Sequence, residues 1–155
     1  MENPPVLFVD DDENLLMGLK RKLHGKFNID TAIGPNQALS KIRDGAQYAI
    51  CVADMRMPEM DGVRLLAEVE KLSPDTVNMM LTGNADQQTA VEAINQGHIF
   101  RFFNKPCDDE DLINGLNAGL RQYQLITAEK ALIEQTLAGS VKVLTEVLAQ
   151  LNPTI

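Results

Sequence analysis

Residues 6–16 read VLFVDDDENLL: four apolar, β-prone residues run into three aspartates and a glutamate, then into Leu15 and Leu16. A short apolar run bounded this way reads as a strand. The acids that close it are where a following helix finds its N-cap, the role expected of Asp12 or Glu13. Strand, charged turn and helix start therefore lie within one short stretch, and the pattern repeats down the chain. Further apolar runs occupy 27–32, 48–53, 76–81 and 99–103. Between them lie stripes at helical spacing: Leu15, Leu16, Leu19 and Leu23; Ala38, Leu39 and Ile42; Val63, Leu66, Ala67 and Val69; Ala90, Val91 and Ile94. Five strands alternating with helices predict a doubly wound α/β fold, because parallel neighbours need a crossover helix. The unbroken apolar run 48–53 suits a strand buried on both faces. Gly25, Gly34-Pro35, Gly45, Ser73-Pro74 and Gly97 fall where helices should hand over to strands.

Composition narrows the function. The chain has 155 residues, 45% hydrophobic and 23% charged, with a formal net charge of -8. One domain with an appendage fits that length. An acidic chain argues against direct nucleic-acid binding, which needs a positive face toward phosphate. The longest apolar run is six residues, against the ~20 needed to span a bilayer, and residues 1–5 lack a signal-peptide pattern. Cys51 and Cys107 are too few for a disulfide framework and suit a reducing compartment. The expected location is the cytoplasm, with no membrane partner.

The fifth helix should start near Asp108-Asp109, and no proline interrupts 112–151. Tyr123, Ile126, Lys130, Ile133, Leu137, Ser140, Leu144, Val147 and Leu151 follow alternating three- and four-residue steps, a heptad seam with two polar interruptions. Val141 and Leu148 widen it, and Gly139-Ser140 is the expected break. The division expected is 5–122 for the α/β domain and 123–155 for a helical extension. That extension either packs on its own domain or serves as a linker or homodimerisation helix. The second is favoured because a solitary helix gains little stability without a packed face.

Three features close predicted strands: the acids Asp10-Asp11-Asp12-Glu13, then Asp54 leading into Met55-Arg56-Met57-Pro58, then Asn104-Lys105-Pro106. Thr82-Gly83 is a fourth. In an open α/β sheet the carboxyl ends of the strands border the ligand crevice, so Asp11, Asp54, Thr82 and Lys105 can meet there. Taken singly, each is an ordinary turn or cap residue. Together they are informative, because converging carboxylates repel unless a cation intervenes. Such hard oxygens suit Mg²⁺, and an acidic triad with a hydroxyl and an ammonium makes a phosphoryl-transfer site. Neither a G-x-G-x-x-G after the first strand nor a P-loop is present.

The motifs VDDDENLL, DMRMPEMDG, MLTG and FFNKP, in that order and spacing, resemble the response-regulator receiver domain of bacterial two-component systems over roughly residues 5–122. The resemblance implies a flavodoxin-like (βα)5 sheet in order 2-1-3-4-5. It implies Asp54 as phosphoacceptor, and Asp10, Asp11, Asp54 and the backbone carbonyl of Arg56 as Mg²⁺ ligands. Thr82 and Lys105 would hold the phosphoryl group, Phe102 would be the switch aromatic, and Pro106 would follow a cis peptide. The function implied is a signalling module phosphorylated by a sensor histidine kinase or phosphotransfer protein, an enzyme only toward its own acyl phosphate. It would switch the face of the fourth helix, fifth strand and fifth helix, or the C-terminal helix, toward an output. Residues 97–102 and 137–153 are similar to receivers joined to HD-type phosphodiesterase outputs, which implies an output domain beyond this chain. The alternative is a Mg²⁺-dependent phosphohydrolase of the haloacid-dehalogenase type, since Asp10-Asp11-Asp12 contains D-x-D. The usual following Gly-Thr or Gly-Val and a cap domain are missing.

Overall fold

The structure is a computed structural model that describes residues 3–151. Five strands alternate with helices: β1 (Pro5–Asp10), α1 (Glu13–Lys22), β2 (Asn28–Ile33), α2 (Pro35–Arg43), β3 (Ile50–Asp54), α3 (Gly62–Leu72), β4 (Val77–Thr82), α4 (Gln87–Asn95), β5 (Arg101–Asn104) and α5 (Asp109–Leu151). The strands form one parallel sheet in the order β2-β1-β3-β4-β5. The chain divides into two compact units, Met1–Tyr123 and Gln124–Ile155.

Both faces of the sheet are covered, and the two-residue alternation of each strand divides its side chains between them. Leu7, Val9, Cys51, Ala53 and Met80 pack with Ala38, Leu39 and Ile42 of α2, Leu65, Leu66 and Val69 of α3, and Ala90 and Ala93 of α4. On the other face α5 comes so close that a Cβ at Gly119 would lie 2.3 Å from Met79 Cε, and one at Gly115 would lie 2.3 Å from the Phe103 ring. Glycine at both positions lets α5 approach without displacing the Met79 and Ile50 side-chain ends or the Phe103 ring. Lys22 at the end of α1 bridges to Asp109 at the start of α5.

Local chemistry sets the helix starts. Asp12 caps α1 by accepting from the backbone N–H groups of Asn14 and Leu15, as the sequence suggested. Asp61 caps α3 through the N–H of Arg64, and Pro35 opens α2.

Three expectations need correction. α5 is unbroken through Gly139 and Ser140, because one glycine within a long run of helix formers costs only about 1 kcal/mol. In α3 the buried partner of Leu66 and Val69 is Leu65, whereas Ala67 is exposed. In α4 Val91 is exposed and Ala93 is buried instead. A stripe flanked by small residues leaves the helix phase undetermined to within one position. In the second unit Leu132, Ile133, Leu137, Val141, Leu144, Val147, Leu148 and Leu151 are all exposed. Residues 152–155 of the expected extension lie outside the described residues.

Candidate functional site

The site follows from strand register. β1 and β3 are neighbours and pair Val9 with Ala53, so Asp10 and Asp54, the next residues, emerge side by side at the carboxyl ends. β4 pairs Leu81 with Asp54 and Thr82 with Asn104, which sets Thr82 and Lys105 at the same edge. The Lys105 N–H donates to the Thr82 carbonyl at 2.9 Å, and the Lys105–Pro106 peptide is cis.

Lys105 Nζ lies 2.8 Å from Asp54 Oδ1 and 3.2 Å from Asp10 Oδ2. Asp10 is buried, and its Oδ1 accepts from the Asp12 N–H at 3.0 Å. Asp11 is exposed, yet one carboxylate oxygen from each of Asp10, Asp11 and Asp54 lies within 4.8 Å of the others. Burial pushes the Asp10 carboxyl above its ordinary 3.8, and the charge of Asp54 adds to this; the Asp12 N–H and Lys105 only partly oppose it. Burial works to lower the Lys105 ammonium, but the hydrogen bond and charge of Asp54, then Asp10, outweigh it and hold Lys105 above its ordinary value. The site therefore carries three carboxylates against one firmly protonated amine. A divalent cation with hard oxygen preference fits that donor set.

Thr82 is fully buried, and its Oγ1 donates to the Gly83 carbonyl at 3.1 Å. Phe102 is half-buried beside Met80, its register partner, against the α2–α3–α4 core. Arg56 lies two residues past Asp54 with an exposed side chain that forms a bidentate pair with Asp86, at 2.7 and 2.8 Å.

Sequence reasoning missed three contributors. Asp86 was not singled out, and its pairing across thirty residues with Arg56 has no local signature. Gln87 donates to Asn104 at 2.7 Å, joining α4 to β5 beside the site. Gly62 lies under Asp54: its N–H donates to the Met55 carbonyl at 2.8 Å, and a Cβ there would come 2.4 Å from the Asp54 carbonyl oxygen. The signal for Gly62 was its place right after the helix-capping Asp61, where a small residue lets a helix start approach a strand end.

A five-stranded flavodoxin-like sheet with an acid cluster and a lysine at its carboxyl edge defines the class. The chain belongs to the response regulator receiver domain family, whose model matches residues 6–117. It is similar to the transcriptional regulatory protein GlrR of Escherichia coli K12, at 33% identity over 81% of this chain and 28% of the relative. The transcriptional regulatory protein ZraR of Escherichia coli O157:H7 is 31% identical over 90% of this chain and 32% of its own length. The chain thus spans less than a third of these curated relatives. Among solved structures, an adenylate cyclase from Rhodopirellula baltica is 42% identical with a TM-score of 0.83, covering 85% of this chain and 98% of that one. The signal receiver domain of an HD domain-containing protein from Pseudomonas fluorescens Pf-5 is 31% identical with a TM-score of 0.72, covering 79% and 98%. The family assignment supports a signalling receiver and not the haloacid-dehalogenase alternative. Among the described residues no helix is long and apolar enough to cross a membrane.

Proposed function

We propose that Asp54 is the phosphoacceptor of this receiver and that a phosphohistidine on a sensor kinase or phosphotransfer protein is its donor. One observation carries the reading: Lys105 Nζ is 2.8 Å from Asp54 Oδ1 within a cluster of three converging carboxylates. A carboxylate oxygen of Asp54 attacks phosphorus, the P–N bond breaks, and the imidazole leaves with a proton. The product is a mixed anhydride that water later cleaves. Lys105 offsets the approach of one anion to another and is placed to follow the transferred oxygens. Asp10, Asp11, Asp54 and the backbone carbonyl of Arg56 would hold Mg²⁺, which when bound supplies further screening of the phosphoryl charge.

Thr82 Oγ1 would leave the Gly83 carbonyl to donate to a phosphoryl oxygen, and Phe102 would turn into the space released. The face of α4, β5 and α5 then changes, and with it the extension, which we read as a homodimerisation helix. Residues 5–122 act as the receiver and 123–155 as the extension. The domain turns over only its own acyl phosphate, acts in the cytoplasm without binding nucleic acid or membrane, and regulates an output of a longer protein. An HD-type output is favoured by the similar receiver from an HD domain-containing protein.

The test is incubation with Mg²⁺ and acetyl phosphate followed by intact mass. An adduct of about 80 Da, labile to hydroxylamine and absent in Asp54→Asn, is expected. Labelling of the Asn variant at the same peptide would overturn the assignment.

A further inference from the structure

We infer that residues 124–151 pair in parallel with the same segment of a second copy of this chain, and that the seam between them changes register at Leu137. This rests on the homodimerisation reading above and refines it. A strict heptad seam continued past Leu137 would turn Ser140 inward. Two consecutive four-residue steps, Ile133 to Leu137 and Leu137 to Val141, avoid that. They continue as Leu137, Val141, Leu144, Leu148 and Leu151, with no polar member. All five are more than three-fifths exposed on an unbroken helix. Such a doubled step is a stutter, which a coiled coil absorbs by local unwinding.

Four observations select a second copy as the occupant. In the shifted register Leu137, Leu144 and Leu151 take the d positions and Val141 and Leu148 the a positions; leucine throughout d with β-branched Val141 at a is the combination that favours two parallel strands. Residues 124–151 hold three acidic and two basic side chains, so nearly all of the chain's net charge of -8 lies elsewhere and two copies meet here without strong repulsion. Lys130 takes an a position, where a single lysine specifies register and oligomer state at a cost in stability. Finally, an aliphatic side chain buries roughly 60–120 Å², so Ile133 and the five shifted positions supply roughly 360–720 Å² of the ~800 Å² per partner of a standard interface.

The test uses the full chain carrying Cys107→Ser, leaving Cys51, which is fully buried. Single cysteines are placed by Ser140→Cys, Val141→Cys, Val147→Cys and Leu148→Cys, and oxidative cross-linking is timed alongside light scattering. The expected result is a dimer in which the 141 and 148 variants cross-link about tenfold faster than 140 and 147, since disulfides need Cβ atoms within about 4.5 Å. Faster linking at 140 and 147 would overturn the register change while leaving the dimer. A dimer in which no variant links would overturn parallel pairing. A monomer at micromolar concentration would overturn the dimer reading as well, and Asp54 labelling would be untouched. As a check without thiols, Ser140→Leu should leave the dissociation constant within about twofold; tightening by about tenfold or more would place residue 140 in the seam and overturn the inference.

Discussion

Gly62→Ala adds one methyl group at the point where α3 meets the end of β3. The new Cβ would lie 2.4 Å from the Asp54 carbonyl oxygen and 3.1 Å from both the Asp54 carbonyl carbon and Met55 Cα, where ordinary contact starts near 3.4 Å. All three atoms are backbone, so no side chain can swing away. The start of α3 must retreat by about 1 Å, which lengthens the 2.8 Å bond from the Gly62 N–H to the Met55 carbonyl. Overpacking costs about 1–3 kcal/mol and a weakened hydrogen bond about 0.5–1.5. Alanine returns up to about 1 kcal/mol of helix propensity. A net loss of about 1–3 kcal/mol is expected. Urea unfolding followed by tyrosine fluorescence measures it, because the chain has no tryptophan and Tyr48 is buried. Gly18→Ala, within α1 with nothing inside 4 Å, is the matched control and should stabilise by about 0.5–1 kcal/mol. Asp54 labelling should also slow, since the displaced backbone carries the carboxylate. Equal stability and unchanged labelling in Gly62→Ala would refute the close-contact argument.

Three further outcomes are expected. Lys105→Met should slow acetyl phosphate labelling of Asp54 by about 10²–10³-fold, the usual effect of removing an electrostatic stabiliser, as read by intact mass over time. Burial works to raise the Asp30 carboxyl, but hydrogen bonds from Tyr48 and Lys41 outweigh it and hold it below its ordinary 3.8. Its contribution, about 1 kcal/mol after discounting for solvent exposure, is therefore present above pH 3.8 and lost as pH falls through the lower folded value. Asp30→Asn should be less stable at neutral pH and converge with the parent in acid unfolding; a constant gap would contradict this. Burial pushes the Cys51 thiol up to about 12, and burial with Asp111 and Asp108 raises Cys107, so native protein should react slowly with iodoacetamide at Cys107 and not at Cys51. Two fast equivalents before unfolding would sink it.

The strand–helix alternation was legible because each strand is a short apolar run and each helix a spaced stripe. Asp10, Asp11, Asp54, Thr82 and Lys105 were legible as a group because all close strands, and parallel strands present their ends together. Helix phase was less so. Leu65 and Ala93 were missed because apolar and small residues adjoin along α3 and α4, and only packing against Ala53, Met80 and their neighbours selects the buried face. The Arg56–Asp86 and Gln87–Asn104 pairs were invisible because each joins residues distant in the chain, in loops or at element ends, that only the fold brings together, with no spacing rule to announce them. The continuity of α5 through Gly139 is hidden for the opposite reason: the local signal of one glycine is strong, and the helix formers on either side outweigh it only in sum.

The pairing of Val9 with Ala53 also determines which changes in chain length the protein can survive. One residue inserted within β1 or β3 would turn Asp10 or Asp54 to the opposite side of the sheet and separate the two carboxylates, however well the strand still paired. The turns at the other edge, around Gly25 and Gly45, carry no such constraint on length, provided the glycines that hold positive φ there (83° and 106°) are kept. Lengthening there leaves every strand end where it is. The sheet thus has one edge that fixes the count of residues and one that tolerates additions, and a tag or reporter loop belongs on the second.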